Sequence, residues 1–260
     1  MLNFAIETAR DAGRLLAERL GRTLQIANKG EINLLTEADL ASERLIIERI
    51  KTYHPRHAIL AEESGPMDTR ESTGQGSEWK WIIDPLDGTT NYAHNYPCFC
   101  VSMALEHNGK LELGVIYDPM RDELFTAERG QGAALNGRRI QVSKVSDLNQ
   151  AMLVTGFPYD VRERVEFARP FTNFIMHAQA VRRDGSAALD LAYIACGRFD
   201  GLWEEGLHPW DVAAGVLMIE EAGGHVSDYD GSPFSIYSAP VLASNGLIHE
   251  AMMWVLGHGR

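Results

Sequence analysis

Between residues 80 and 137 the chain reads as a mostly antiparallel sheet. Strand-like runs at residues 80–83, 100–106, 113–117 and 124–127 are short and rich in β-branched or apolar side chains. Asn108-Gly109 lies between two of them, and Asn136-Gly137 follows the last. Asn-Gly tolerates the paired positive φ angles of a two-residue hairpin turn. Such a sheet needs its apolar face covered, and two helical stretches upstream can do it. In residues 1–20, Ile6, Ala9, Gly13, Leu16 and Leu20 fall on one face. In residues 37–52, Leu40, Leu45, Ile46 and Ile50 do the same, and Pro55 stops that helix. A short strand at 58–61 precedes a polar, Gly/Ser/Thr-rich loop at 67–77.

The rhythm changes near residues 141–149. Strand-like segments at 151–156, 178–183, 199–204 and 241–244 alternate with helical ones at 161–177, 186–196, 210–222 and the C-terminal stretch. Alternation of this kind predicts a layered α/β arrangement. The expected organisation is an N-terminal α+β lobe, residues 1–142, and a C-terminal α/β lobe, residues 143–260. A chain of 260 residues can bury a substantial core in such a form.

Composition removes several function classes. The net charge is −12, so phosphate neutralisation by clustered Lys and Arg is not available and general nucleic-acid binding is not expected. The three cysteines, Cys98, Cys100 and Cys196, show no zinc spacing and read as free buried thiols in a reducing compartment. The N-terminal stretch lacks the apolar core of a signal peptide, and no apolar run reaches membrane-spanning length. The cytoplasm is the expected location.

Carboxylates mark the ends of apolar elements. Glu62-Glu63 follow "HAIL", Asp84 and Asp87 follow "WII", and Asp211 lies in "HPWDVAAGVLMIEEAGG". Each fragment alone has an ordinary explanation: a turn with a capping Asp, a solvated loop, a helix N-cap. Together they imply a crevice lined by like charges, which a hard divalent cation with oxygen ligands would relieve. Pro85 restricts both itself and Asp84, so Asp84, the Leu86 carbonyl and Asp87 can form one fixed fan. Gly88-Thr89-Thr90 then offers backbone N–H groups to an anion. Asp39, in "LLTEAD", is a candidate acceptor for the Thr89 hydroxyl. His94 and His208 read as packing or hydrogen-bonding residues, and Trp210 as a core anchor.

Six stretches resemble the inositol monophosphatase family: "LLTEAD" (34–39), "AEES" (61–64), "WIIDPLDGTTNYAHNYP" (81–97), "GAALNGRRIQVS" (132–143), "RRDGSAALDLAYIACGRFDGLWE" (182–204) and "HPWDVAAGVLMIEEAGG" (208–224). The resemblance implies the layered αβαβα sandwich of the sugar phosphatases. It implies a first Mg2+ on Glu62, Asp84 and the Leu86 carbonyl, a second on Asp84, Asp87 and Asp211, and a third, weaker ion near Glu62. Mn2+ would substitute, while Ca2+ or Li+ would inhibit. Glu62, Thr89 and Asp39 would prepare the attacking water, and the N–H groups of Gly88 and Thr89 would hold phosphate. Asp87, Gly185, Ser186, Ala187 and Glu204 would face the alcohol.

The implied activity is hydrolysis of inositol monophosphate. Fructose 1,6-bisphosphate, histidinol phosphate or another polyol phosphate is the alternative substrate, and a protein-interaction role with vestigial catalysis the alternative class. The expected partners are a small sugar or polyol phosphate and, from the resemblance, a second copy of the chain; neither nucleic acid nor membrane is expected.

Overall fold

The computed structural model describes residues 1–21, 26–28, 34–68, 76–157, 168–238 and 240–258. Two helices, α1 (Leu2–Arg19) and α2 (Glu37–Tyr53), flank a small antiparallel pair, β1 (Ile26–Asn28) and β2 (Leu34–Thr36). Then come β3 (Ala58–Ala61), β4 (Gly65–Met67), β5 (Trp79–Asp87), the short helix α3 (Thr89–Ala93), β6 (Cys100–His107), β7 (Lys110–Asp118), β8 (Glu123–Glu128), β9 (Gly132–Leu135) and β10 (Arg138–Arg139). They form an eight-stranded sheet in the order β10-β9-β8-β7-β6-β5-β3-β4. Every pairing in it is antiparallel except β3 with β5. Both Asn-Gly turns close hairpins, with φ of 49° and 79° at Asn108 and Gly109 and of 49° and 74° at Asn136 and Gly137.

The second half holds β11 (Met152–Thr155), α4 (Ala168–Ile175), β12 (Ala180–Arg182), α5 (Ala187–Ala195), β13 (Gly201–Glu204), α6 (Pro209–Glu221), β14 (His225–Ser227), β15 (Val241–Ser244) and α7 (His249–His258). The five-stranded sheet runs β12-β11-β13-β15-β14. It is mixed: β11 lies parallel to β12 and β13, while β15 is antiparallel to β13 and β14. The expected helix at 161–177 is described from Ala168 onward, and most of the expected loop at 67–77 lies outside the described residues.

Three apolar cores stack these layers. The first lies between α1–α2 and the large sheet. The second gathers the other face of that sheet with α5 and α6. The third joins the small sheet to α4 and α7. The order helix, sheet, helix, sheet, helix is the expected αβαβα sandwich. The middle helix α6 is buried continuously from Val212 to Ile219, as a helix covered on all sides must be. It approaches β7 closely: a Cβ at Gly114 would lie 2.9 Å from the Ala214 backbone.

One expectation about α2 is corrected. Leu40 is 45% exposed, and the inward stripe is Asp39, Ser42, Glu43, Ile46 and Ile50. Polar side chains occupy the first turns of the buried face, so Leu40 is turned outward.

Candidate metal centre

Strand β5 does not stop at Ile83 as the sequence suggests; it continues through the acidic residues to Asp87. Its pairing with β6 shifts there. Asp84 opposes Ser102 and Asp87 opposes Cys100, so β5 spends one residue more than its neighbour. A bulge of this kind re-aims side chains and accommodates a proline that cannot donate to the ladder. Within it the Leu86 N–H donates to Asp84 Oδ1 (3.0 Å), and the Ser42 hydroxyl donates to the Pro85 carbonyl (2.8 Å).

Asp87 is held by the N-terminal end of α5. The Ser186 hydroxyl (2.5 Å) and the Ala188 N–H (2.8 Å) both donate to its Oδ2. Asp211 sits in the first turn of α6, where the His208 N–H donates to its Oδ2 (2.7 Å). This capping position satisfies a helix-terminal donor and also fixes the carboxylate. Ligand atoms of Asp84, Asp87 and Asp211 lie within 4.8 Å of one another; no other such group of His, Cys, Asp or Glu occurs among the described residues.

The electrostatics of this cluster suit a bound cation. Burial raises Asp84 well above the ordinary carboxylate range, and the charges of Glu62, Asp87 and Asp211 raise it further. Asp211 is pushed well up by burial, then by Asp87, Glu62 and Glu204. Asp87 is raised by burial, against the hydrogen bonds from Ser186 and Ala188. The donors are oxygens, which suits a hard divalent ion. The nearby Cys100 thiol is held protonated by burial and by the charges of Asp87 and Asp84, so it is no thiolate ligand. The residues present therefore fit Mg2+ or a similar ion.

Glu62, on the turn after β3, lies outside the tight group, yet its charge reaches both Asp84 and Asp211. Its N–H bonds the Ile83 carbonyl (3.2 Å). The Thr89 hydroxyl has two acceptors, Asp39 Oδ1 (3.0 Å) and the Leu86 carbonyl (3.1 Å). Asp39 uses its other oxygen to cap α2, accepting from the Thr36 N–H (2.9 Å) and hydroxyl (2.5 Å). Burial raises the Asp39 carboxyl, with the Thr36 and Thr89 hydrogen bonds pulling it down. Gly88 precedes Thr89 with φ +95°, and a Cβ there would meet the Cys98 carbonyl at 2.8 Å. Only glycine suits that position.

Around the cluster, Glu204 is buried and its carboxyl is raised to about 8, by burial first and by Asp87 second. Gly185 and Ala187 are partly exposed, whereas Ser186 is fully buried and acts on Asp87. Sequence reasoning missed three residues. Gly156 passes so close to Glu204 that a Cβ would overlap its carboxylate. Asp190 is buried with an oxygen lacking any hydrogen-bond partner, and burial and Glu204 raise its carboxyl well up. Glu43 is 2% exposed and bonds the turn that carries Glu62. Its signal was available: it shares a helical stripe with Asp39, Ile46 and Ile50.

The sequence profile of the inositol monophosphatase family matches residues 1–256. The chain belongs to the inositol monophosphatase family. It is a phosphoric monoester hydrolase. A protein of Synechocystis sp. named inositol-1-monophosphatase is 46% identical over 257 residues, covering 98% of this chain and 88% of that protein. A protein of Escherichia coli (strain K12) named Nus factor SuhB is 43% identical over 259 residues, covering 97% and 94%. The solved inositol monophosphatase from Anabaena (Nostoc) sp. superposes with a TM-score of 0.88 at 47% identity, covering 100% of this chain and 96% of that one. Among the described residues no helix is long and apolar enough to cross a membrane.

Proposed function

We propose that the protein is a Mg2+-dependent phosphomonoesterase acting on inositol monophosphate. One observation carries this reading: the carboxylates of Asp84 and Asp87, both buried, and of half-buried Asp211 converge within 4.8 Å, with a hydroxyl–carboxylate pair, Thr89 and Asp39, beside them. Asp84, Asp87, Asp211, Glu62 and the Leu86 carbonyl would hold the ions, which when bound supply Lewis acidity for in-line attack of water on phosphorus. Asp39, through Thr89, orients and accepts the proton of the attacking water. The amides of Gly88 and Thr89 receive the phosphate. Asp87 and Glu204 accept hydrogen bonds from ring hydroxyls of the alcohol, with Gly185 and Ala187 beside it and Ser186 setting Asp87. Li+ or Ca2+ in place of Mg2+ would inhibit.

Inositol is favoured over other alcohols because the relatives named as inositol monophosphatases match along nearly the whole chain. A second reading, that the protein also serves as an interaction partner, is favoured by the Nus factor name of the Escherichia coli relative. A homodimer is proposed on the family resemblance.

The test is phosphate release at fixed Mg2+ from both inositol 1-phosphate enantiomers, fructose 1,6-bisphosphate, histidinol phosphate and a 3′-phosphonucleotide. An inositol phosphate should lead. A higher kcat/KM on another member would replace the substrate, and no release from any would refute the reading.

A further inference from the structure

The inner face of α2 is polar where a core-facing helix is ordinarily apolar. Asp39, Ser42 and Glu43 are all buried, and burying them costs free energy unless they are hydrogen-bonded. Thr89 accounts for Asp39. Ser42 and Glu43 take no part in the reaction described above. Each is bonded to a different one of the segments that present acidic side chains to the metal centre.

Glu43 clamps the turn after β3. The Glu63 N–H donates to its Oε2 (2.9 Å), and the Ser64 hydroxyl donates to its Oε1. The preceding N–H, that of Glu62, is tied to the Ile83 carbonyl. Three consecutive residues are thus anchored on two elements, and the first of them carries a predicted ligand. Ser42 does the corresponding work on β5. Pro85 has no N–H, so its carbonyl is the one backbone group it can offer, and Ser42 takes it at 2.8 Å. That contact sits between Asp84 and Leu86.

We propose that Glu43 and Ser42 are positioning residues that set the affinity of the centre for its divalent cation. Glu43 fixes the direction in which Glu62 is presented, and Ser42 fixes the bulge that carries Asp84, the Leu86 carbonyl and Asp87. The inference rests on the reading of the site as a divalent-cation centre. A helix face selected for stability alone would carry aliphatic residues here, as it does at Ile46 and Ile50. Outer partners that orient metal ligands alter affinity by about 10- to 100-fold when removed.

The experiment uses the full chain, stripped of metal, as wild type, Glu43→Gln, Ser42→Ala, Ser64→Ala and Asp84→Asn. Mg2+ binding is read by titration calorimetry, metal-free stability by thermal unfolding, and kcat on inositol 1-phosphate across Mg2+ concentrations. Gln keeps the volume of Glu43 but removes its charge, so the Glu63 N–H loses a charge-assisted bond and the Ser64 hydroxyl must reverse to accept from the amide.

The expected result is a Mg2+ dissociation constant at least about tenfold higher in Glu43→Gln. Smaller rises are expected in Ser42→Ala and Ser64→Ala, with kcat at saturating Mg2+ near wild type in all three. Asp84→Asn should lose both binding and turnover. Unchanged Mg2+ affinity in Glu43→Gln and Ser64→Ala, with Asp84→Asn inactive, would overturn the positioning role and leave the cation-centre reading standing. A wild type that binds no Mg2+, or an Asp84→Asn that binds it normally, would overturn both. Should Glu43→Gln fail to fold, Ser64→Ala decides, because its side chain is exposed: a raised constant supports the role and an unchanged one refutes it.

Discussion

Glu204 offers a test of the electrostatics that does not depend on turnover. It ends β13, 8% exposed, with its carboxyl raised from 4.5 to about 8 by burial and by Asp87, against Arg183 and a backbone hydrogen bond from Gly156. Well below pH 4.5 the group is protonated in both folded and unfolded chains and contributes nothing. As pH rises past that value the unfolded chain releases its proton while the folded chain keeps it. Stability therefore falls with rising pH until the folded group ionises near pH 8. The interval corresponds to at most about 5 kcal/mol at ~1.36 kcal/mol per unit. Glu204→Gln cannot ionise and escapes this loss. In metal-free protein, the stability difference between variant and wild type should grow in favour of the variant by several kcal/mol from acid to mildly alkaline pH. Urea unfolding of both proteins across that range, with a chelator present, measures it. A difference that stays flat would refute the claim that this carboxylate is buried against its ionisation.

The remaining predictions concern the site itself. Asp84→Asn should lower kcat/KM on the best phosphomonoester by about 10³-fold or more, the scale of losing several kcal/mol of metal-mediated stabilisation, without changing the circular dichroism spectrum. Thr89→Ala should lower kcat by about 10²-fold, while Thr89→Ser, which keeps the hydroxyl bonded to Asp39, should recover most of it; equal loss in both variants would exclude the hydroxyl as the active element. Gly156→Ala places a Cβ on the Glu204 carboxylate, so KM should rise more than kcat falls in steady-state assays on the alcohol phosphate. Gly88→Ala meets both a positive φ and the Cys98 carbonyl and should cost about 1–3 kcal/mol in urea unfolding.

The acidic motifs were legible because their residues are close in sequence or fall at element ends. Asp84 and Asp87 share a proline-stiffened stretch, and Asp211 opens an apolar helix. The two Asn-Gly turns announced their hairpins through local chemistry alone. What stayed hidden depends on contacts between distant segments. Ser186 and the Ala188 amide reach Asp87 across about 100 positions, which no local pattern encodes. Gly156 reads as a strand-end glycine until Glu204 is seen lying against it. Apolar periodicity alone places Leu40 inward, whereas the buried stripe is Asp39, Ser42, Glu43, Ile46 and Ile50, and polar residues fill its first turns. The continuation of β5 past Pro85 is not legible in the sequence because proline ordinarily ends a strand, and only the bulge makes it tolerable.

The wedging of α6 between two sheets has a bearing on how such a scaffold can be re-purposed. Its glycine-mediated seat on β7 and its continuous burial leave Asp211 little freedom to drift relative to β5. Retargeting toward a different alcohol is thus best attempted at the rim, at exposed Arg183, rather than at Gly156 or Gly185, where any Cβ meets neighbouring side chains.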